Sequence, residues 1–300
     1  MHTIRADRTT FAFRPDAEPV LRIQPGEVVQ FETSPEPVER LFAAGDRWLE
    51  ALDIKAVNAV TGPVYIEGVE PGDAVSVEVL EVTPRDWGWC AFIPGFGLLA
   101  DRLQRPMLRR LPIANGKVHI SERLTVPVRP MIGCLGLAPA SGESSTLAPP
   151  FPWGGNYDLR QVEPGNTILF PAQVPGGLFS LGDLHAAMGM HEATFVSIEC
   201  PGTATVRLGV RKGLTLETPR IEAPNRLYTI GLKAADDFQH GLDFNPARIQ
   251  AVSLMFDYLT RERGLSPEDA YVLISASVDV EFGGPAGAVV LASVPLAVLP

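Results

Sequence analysis

A short pattern recurs along this chain and constrains its fold more than any other feature. The pattern is an apolar stretch, a Pro-Gly pair, a polar residue and a second apolar stretch, at residues 21–32, 65–79 and 159–170, with a looser copy at 200–210. Proline presets φ at the second position of a tight turn, and glycine accepts the positive φ of the third. The pattern therefore predicts strands joined by tight turns. Its recurrence indicates either two related β halves or chance repetition of a common turn.

The side chains after the second Pro-Gly pair alternate in character. Val75, Val77 and Val79 are apolar, whereas Ser76 and Glu78 between them are polar. Because successive strand residues point to opposite faces, the alternation predicts a half-buried antiparallel strand. The chain also has 28 glycines and 28 prolines, which favours a turn-rich β protein over a helical one. We therefore predict a mainly β fold with a body of antiparallel strands.

The C-terminal part has a different pattern. Residues 245–264 begin with Asn-Pro, carry apolar side chains at helical spacing and end with basic residues and a glycine, which predicts a helix. Ser266 before a proline and two acidic residues is typical of the start of a second helix. Residues 278–282 and 288–298 are predicted as closing strands, so this part is α+β.

These patterns divide the chain into three predicted parts. We predict an N-terminal β domain over 1–140, a second β part over 141–223 and an α+β part over 224–300. A Ser- and Pro-rich run at 141–152 marks the first boundary as an ordered loop or linker.

The bulk properties argue against several classes of protein. The formal net charge of −10 argues against a nucleic-acid partner or an anionic-membrane surface. No apolar run approaches the length that spans a bilayer, so we expect a soluble, cytoplasmic protein. The three cysteines are far apart and include no Cys-x-x-Cys pair, which argues against a disulfide framework or a cysteine zinc site.

One stretch, residues 156–199, concentrates the groups that can carry chemistry. Two of the chain's five histidines lie there, among several carboxylates and glycines. Glycine lets the backbone approach a ligand closely, and acids and imidazoles at Gly-rich strand ends are where metal or acid/base sites are usually built. We expect the functional site in this stretch.

Six motifs, in this order along nearly the whole chain, resemble the acetamidase/formamidase family. They include Gly-Gly-Asn-Tyr-Asp at 154–158 and Gly-Asp-Leu-His-Ala at 182–186, and the others lie at 61–73, 86–89, 93–97 and 266–271. The resemblance implies a β-rich body with jelly-roll-like and β-barrel-like parts and a small α+β C-terminal part. It also implies a metal-dependent hydrolase of small linear amides that releases ammonia and a carboxylate, and a homodimer or higher homo-oligomer.

Amide hydrolysis needs an activated water, a polarised carbonyl and a proton for the leaving amine, and a divalent metal can supply the first two. Asp183 and His185 are two residues apart, so on a strand both reach one ion, and Asp158 can supply a third ligand from the preceding turn. We expect zinc, with calcium or another divalent ion as the alternative. Glu192 or Glu199 is then the expected general base.

The remaining candidate residues have competing interpretations. Glu67, before Gly68 at a strand end, is either a third catalytic carboxylate or a surface residue. Asn156, Met188 and His191 are expected to contact the substrate. Packing is the alternative for Met188, and a replacement metal ligand or a solvent-facing residue are the alternatives for His191.

The chain also departs from the family pattern after Gly-Asp-Leu-His-Ala. The family usually has Gln, Asp and Gly where this chain has Met188, Met190 and His191, and the N-terminal His-x-x-Trp of many members is missing. These departures predict a substrate other than the simplest amides. The alternative is a catalytically silent member that binds a small molecule or serves as an assembly subunit.

Overall fold

The structure is a computed structural model that describes residues 1–234 and 242–300; residues 235–241, inside the predicted C-terminal part, lie outside the described residues. In chain order the first strands are β1 His2–Ile4, β2 Thr9–Thr10, β3 Ala12–Phe13, β4 Leu21–Ile23, β5 Val28–Glu32, β6 Val60–Ile66, β7 Ala74–Pro84, β8 Trp87–Phe92, β9 Met107–Ala114, β10 Lys117–His119 and β11 Thr125–Pro127. The later strands are β12 Met131–Gly136, β13 Ser144–Ser145, β14 Gly154–Asn156, β15 Thr167–Pro171, β16 Phe179–Ala187, β17 Ile198–Cys200, β18 Gly202–Arg211, β19 Arg220–Glu222, β20 Arg226–Lys233, β21 Asp279–Phe282 and β22 Ala288–Pro295. The α-helices are α1 Glu36–Ala43, α2 Asn245–Asp257 and α3 Pro267–Ser277.

The described strands form two large sheets and a small one. The nine-stranded sheet has the order β1-β5-β18-β7-β15-β19-β20-β22-β21. The eleven-stranded sheet has the order β11-β10-β9-β8-β17-β16-β12-β14, and β6 joins it beside β16 and carries β2 and β4. The small sheet pairs β3 with β13. All the described pairings are antiparallel except β1 with β5 and β4 with β6, so the predicted mainly β, antiparallel body is confirmed.

The largest hydrophobic core contains side chains of both large sheets. Phe31 of β5 and Phe179 of β16 meet edge to face, with ring centroids 5.8 Å apart. The alternation after the second Pro-Gly pair is confirmed, because Val75, Val77 and Val79 are buried in this core. The β7 strand that carries them pairs antiparallel with both β15 and β18.

The Pro-Gly turns carry the chain from one large sheet to the other. The turn at Pro25-Gly26 leads from β4 to β5 and the turn at Pro71-Gly72 from β6 to β7, in each case from the eleven-stranded to the nine-stranded sheet. Gly26 and Gly72 have φ of 93° and 94°, which favours glycine. The tight turns are therefore confirmed, but the strands that they join are not hydrogen-bonded neighbours.

The third copy of the pattern differs at its start. The predicted strand at 159–162 is wrong, because the Val162 N–H donates to the Leu159 carbonyl at 2.8 Å and closes a turn. The strand after the Pro-Gly pair, β15, forms as predicted. The turn in place of the first strand follows directly after Asp158 and helps to hold it at the end of the sheet.

The α+β C-terminal elements are confirmed. The α2 helix continues through a π-helical turn, Tyr258–Glu262, before Gly264, and the Ser266 hydroxyl accepts a hydrogen bond from the Asp269 N–H at 3.1 Å to cap α3. The α2 helix packs on β20 at Gly231, where a Cβ would stand 1.8 Å from the Ala247 carbonyl oxygen. Only glycine allows that approach.

Strands of all three predicted parts share the nine-stranded sheet: β1, β5 and β7 come from the first part, β15, β18 and β19 from the second, and β20 to β22 from the third. The division at 140 and 223 stays a prediction. Among the described helices, none has both the length and the apolar character needed to cross a bilayer.

Candidate active site

The site begins at an irregularity in β16. One edge of β16 pairs with β12, whereas the other edge pairs first with β6 and then, from Leu184, with β17. Asp183 lies where the partner changes and has φ of 55°, in the left-handed region. The regular alternation of the strand is interrupted there. Asp183 and His185 nevertheless converge, with 3.6 Å between Asp183 Oδ1 and His185 Nε2.

Gly133 of β12 lies directly beside these side chains. A Cβ at this position would stand 2.5 Å from Asp158 Oδ1, 2.6 Å from Asp183 Oδ2 and 2.9 Å from His185 Nε2. Its carbonyl oxygen accepts hydrogen bonds from the N–H groups of Tyr157 and Asp158 at 3.1 and 3.2 Å. Gly133 therefore leaves room for the three polar side chains and fixes the turn that carries Asp158.

The imidazole of His185 is the centre of the cluster. Its Nε2 lies 3.0 Å from Glu199 Oε2 and 3.6 Å from Asp158 Oδ1. Asp158 Oδ1, Glu199 Oε2 and His185 Nε2 lie close together and are buried without a hydrogen bond of good geometry, and His185 Nδ1 on the other side of the ring is also unpartnered. Buried polar atoms are normally satisfied, so the three atoms that converge at His185 Nε2 indicate a missing ligand.

Glu192 and Glu199 complete the cluster around His185. Glu199 is the β17 partner of His185 in the sheet register. Glu192 ends the short 3₁₀ helix Met190–Glu192 and has φ of 46°, and its Oε1 accepts the Ser197 N–H at 2.7 Å. Both glutamates are buried, although Glu is rarely buried without a partner.

Burial, mutual repulsion and the nearby imidazole shift the pKa values of the carboxyl groups in the cluster. Burial, reinforced by the charge of Asp183, raises the pKa of Asp158 to about 8, and burial raises the pKa of Glu199 to about 7. Burial together with the Asp158 charge raises the pKa of Glu192 well above its usual value. The pKa of Asp183 is lowered because bonding and attraction to His185 outweigh its burial.

The residues present fit a divalent cation. Two overlapping groups each place one ligand atom per residue within 4.8 Å of the others: Asp158, Asp183 and His185, and His185, Glu192 and Glu199. A cation would satisfy the unpartnered atoms and offset the repulsion among the carboxylates. One imidazole with two carboxylates is a donor set that zinc accepts, and the additional carboxylates also suit harder divalent ions.

An open cavity leads to the cluster. Its volume is about 110 Å³, and its polar end is lined by Asn58, Asn156, Asp158, Asp183, His185, Glu192 and Glu199. The rest of its wall is apolar. A concave pocket with a few convergent polar groups of shifted acidity is the usual form of a small-molecule site.

The comparison with known proteins agrees with this geometry. The family model described as Acetamidase/Formamidase matches residues 4–144 and 140–298, which together cover nearly the whole chain. The chain belongs to the acetamidase/formamidase family. The resemblance inferred from the six motifs is thereby confirmed.

Curated and solved relatives extend the comparison. The chain is 25% identical to a formamidase of Methylophilus methylotrophus, over 91% of this chain and 84% of the relative. It is 24% identical to an acetamidase of Mycolicibacterium smegmatis, over 75% of this chain and 74% of the relative. The crystal structure of an acetamidase from Bacillus halodurans is 30% identical and superposes with a TM-score of 0.88, covering 98% of this chain and 97% of the other.

Most of the site residues predicted from the acetamidase/formamidase motifs come together. Asp158, Asp183, His185, Glu192 and Glu199 form the cluster described above. Asn156 also lines the cavity, and its Nδ2 donates to Asp158 Oδ2 at 2.9 Å.

The structure does not bring three other candidates to the cavity. Glu67 lies 3.6 Å from Arg22 at a half-exposed position, which agrees with its alternative interpretation as a surface residue. Met188 is buried. The Nδ1–H of His191 donates to the Gly283 carbonyl at 2.8 Å, because a carbonyl oxygen can only accept. Neither Met188 nor His191 is among the side chains that line the cavity.

Two residues that help to build the site were not predicted from the sequence. Asn58 lies about one hundred residues before the cluster, and its Nδ2 donates to Asn156 Oδ1 and to the Thr146 carbonyl, both at 2.9 Å. Gly133 lies inside the apolar strand β12. Neither residue belongs to a local pattern that distinguishes it from an ordinary loop or strand residue, so only the tertiary structure reveals them.

Proposed function

We propose that this protein hydrolyses the carbon–nitrogen bond of a small linear amide with the help of a divalent metal ion, releasing ammonia and a carboxylate. The observation that carries the proposal is the convergence of Asp158, Asp183 and His185, with unpartnered buried atoms, at the end of an open cavity. Relatives named formamidase and acetamidase support the predicted enzyme class, a hydrolase of carbon–nitrogen bonds in linear amides.

The proposed ligands are Asp158, Asp183 and His185, with zinc as the proposed ion. A bound divalent ion supplies a Lewis acid for the amide carbonyl and lowers the pKa of a water molecule. The chain's own contribution is to fix the ligand positions. Gly133 supplies the space, and Asn156, held by Asn58, orients the carboxylate of Asp158.

Glu192 and Glu199 are the proposed acid/base pair. One of them takes a proton from the attacking water and passes it to the nitrogen, so that the amide and water become a carboxylate and ammonia. Efficient proton transfer needs a pKa near the working pH, and burial moves both carboxyl groups upward from their ordinary range. Both side chains line the polar end of the cavity, where the amide would lie.

A catalytically silent member is less well supported. Buried carboxylates that repel one another destabilise a fold, so a binding or assembly role gives no reason to keep them together. A homodimer or higher homo-oligomer and a cytoplasmic location remain part of the proposal on the family resemblance alone.

The test measures ammonia release from a panel of small amides, with the metal content of the purified protein determined by elemental analysis. We expect turnover that is lost after chelation and restored by a divalent ion. The Asp183→Asn and His185→Ala variants should lose at least a hundredfold in kcat/KM. Asp101→Asn, at a strongly exposed aspartate, is the matched control and should retain full activity.

Different results would contradict the metal requirement and the enzyme class. Full activity in protein shown by elemental analysis to be metal-free would overturn the metal requirement alone. No ammonia release from any amide with the metal-loaded protein would overturn the amide hydrolase itself.

A further inference from the structure

The cavity that leads to the cluster has two chemically different sides. One end carries the carboxylates and His185, and the remaining wall consists of aliphatic and aromatic side chains. An amide bound there must place its carbonyl and nitrogen at the polar end, because those are its hydrogen-bonding groups. Its acyl group then faces the apolar wall.

Four separate segments build the apolar wall, and Leu147 alone represents one of them. Leu41, Trp48 and Val57 come from α1 and the segment after it, and Leu52 and the half-exposed Ile54 belong to the same segment. The segment is well anchored, because Leu41 and Trp48 are buried in one hydrophobic cluster with Ala91 and Val196. A wall held by its own core is a preformed feature of the cavity.

Aromatic rings form a second part of the wall, which packs against the first. Trp89 of β8 and Phe96 of the following loop face the cavity together with Phe195, and the rings of Phe96 and Phe195 pack with centroids 4.9 Å apart. Aromatic side chains offer large apolar contact areas. No charged side chain from the described part of the chain lines the cavity outside the catalytic cluster.

The size of the cavity limits the acyl group. The cavity volume is about 110 Å³, and one water molecule needs about 10 to 15 Å³ of such volume. The cavity therefore has room for several water-sized groups beside the apolar wall, which suits a small branched acyl group rather than a large one.

We infer that the substrate is a primary amide of a small, branched, apolar carboxylic acid, with an acyl group larger than acetyl. This inference rests on the proposed amide hydrolysis and specifies its substrate class. The segment from Leu41 to Val57 and the aromatic side with Trp89 determine the preference. Val57 is the most direct determinant, because it immediately precedes Asn58 at the border of the polar end.

The experiment compares kcat/KM of the metal-loaded enzyme for acetamide, isobutyramide and isovaleramide. Each buried methylene is expected to raise kcat/KM by about fourfold. Isovaleramide should therefore exceed acetamide by at least about tenfold. Higher kcat/KM for acetamide or formamide than for isovaleramide would overturn the inference.

A matched pair of amides tests the effect of acyl-group polarity at nearly constant acyl-group size. Lactamide has the shape of isobutyramide with a hydroxyl in place of one methyl group, and an apolar wall cannot satisfy that hydroxyl. We expect isobutyramide to be favoured by about tenfold to a hundredfold. Equal kcat/KM for the two amides would overturn the inference.

Val57→Thr tests the wall itself, because it adds a hydroxyl at nearly unchanged volume. The ratio of isobutyramide to lactamide should fall at least threefold, and this ratio does not depend on the fraction of active protein. Val272→Thr, on the exposed face of α3, is the control and should keep the wild-type ratio. An unchanged ratio in Val57→Thr would contradict its assignment as a determinant.

The results also distinguish this inference from the function on which it rests. Ammonia release from amides without the expected preference would overturn the substrate class and leave the amide hydrolase standing. No release from any amide would overturn both.

Discussion

Gly133 faces Asp158 so closely that a Cβ at position 133 would stand 2.5 Å from Asp158 Oδ1. The two residues lie in different elements, β12 and the turn after β14, and the Gly133 carbonyl also accepts the Asp158 N–H at 3.2 Å. A single backbone position thus both orients one carboxylate and leaves space for the converging side chains.

Gly133→Ala should disable the site without unfolding the protein. Gly133 has no left-handed φ that would exclude alanine, but the added methyl group must displace Asp158, Asp183 or His185. We expect at least a hundredfold loss in kcat/KM and loss of bound metal by elemental analysis. Gly189→Ala, at an open position with φ of −75°, is the control. Wild-type metal content and activity in Gly133→Ala would contradict the assigned geometry.

Asn58→Ala should weaken the site through Asn156. The variant removes the donor that fixes Asn156, which in turn orients Asp158. We expect kcat/KM to fall by about tenfold to a hundredfold, with weaker retention of the metal during dialysis. Asn225→Ala, at an exposed turn, should behave as wild type. A variant of Asn58 with unchanged metal retention would show that this bond does not support the ligands.

His191→Phe should affect the position of Glu192 more than substrate binding. The His191 imidazole bonds the Gly283 carbonyl at 2.8 Å and packs on Phe282, and it does not line the cavity. Phenylalanine keeps a ring but loses the donor. We expect kcat to fall by about tenfold with less than a twofold change in KM. A tenfold rise in KM at unchanged kcat would instead support the expectation that His191 contacts the substrate.

Asp73→Asn should reduce stability in a pH-dependent way. Burial opposes ionisation of Asp73, but the Lys212 ammonium and the N–H groups of Gly213 and Glu70 hold its pKa below the usual 3.8. A lowered folded-state pKa stabilises the fold above 3.8, and this contribution disappears as the pH falls through the folded-state value.

The corresponding measurement is urea unfolding of wild type and Asp73→Asn across pH. We expect a difference of about 1 to 3 kcal/mol in the free energy of unfolding at pH 7 that shrinks toward zero below pH 3.8. Asp46→Asn, at an exposed position in the short 3₁₀ helix after α1, is the control. A difference that grows on acidification would have the wrong sign for this interpretation.

The predictions that depended on neighbouring residues were confirmed. The alternation from Val75 to Val79 is sufficient for a strand, because it reflects which face of that strand meets the core. Ser266 caps its helix through a hydrogen bond only three residues away. Such features are decided by interactions that the sequence shows directly.

The predictions that depended on distant contacts were less complete. The Pro-Gly pairs predicted turns but not that these turns lead from one sheet to the other. The predicted strand at 159–162 is a local exception, because the Val162 N–H donates to the Leu159 carbonyl three residues away and closes a turn. A local pattern cannot report which partner strand is available on the other side of a turn.

The sequence by itself determined the fold class, the family and the identity of the four acids and the one imidazole of the cluster, since local periodicity and ordered motifs carry that information. Only the tertiary structure decided that Gly133 and Asn58 complete the site and that Glu67 stands apart from it. The physical reason is that burial, mutual repulsion and missing hydrogen-bond partners arise when β12, β16 and β17 come together. Residues that are distant in the chain form one site only through the contact of these strands.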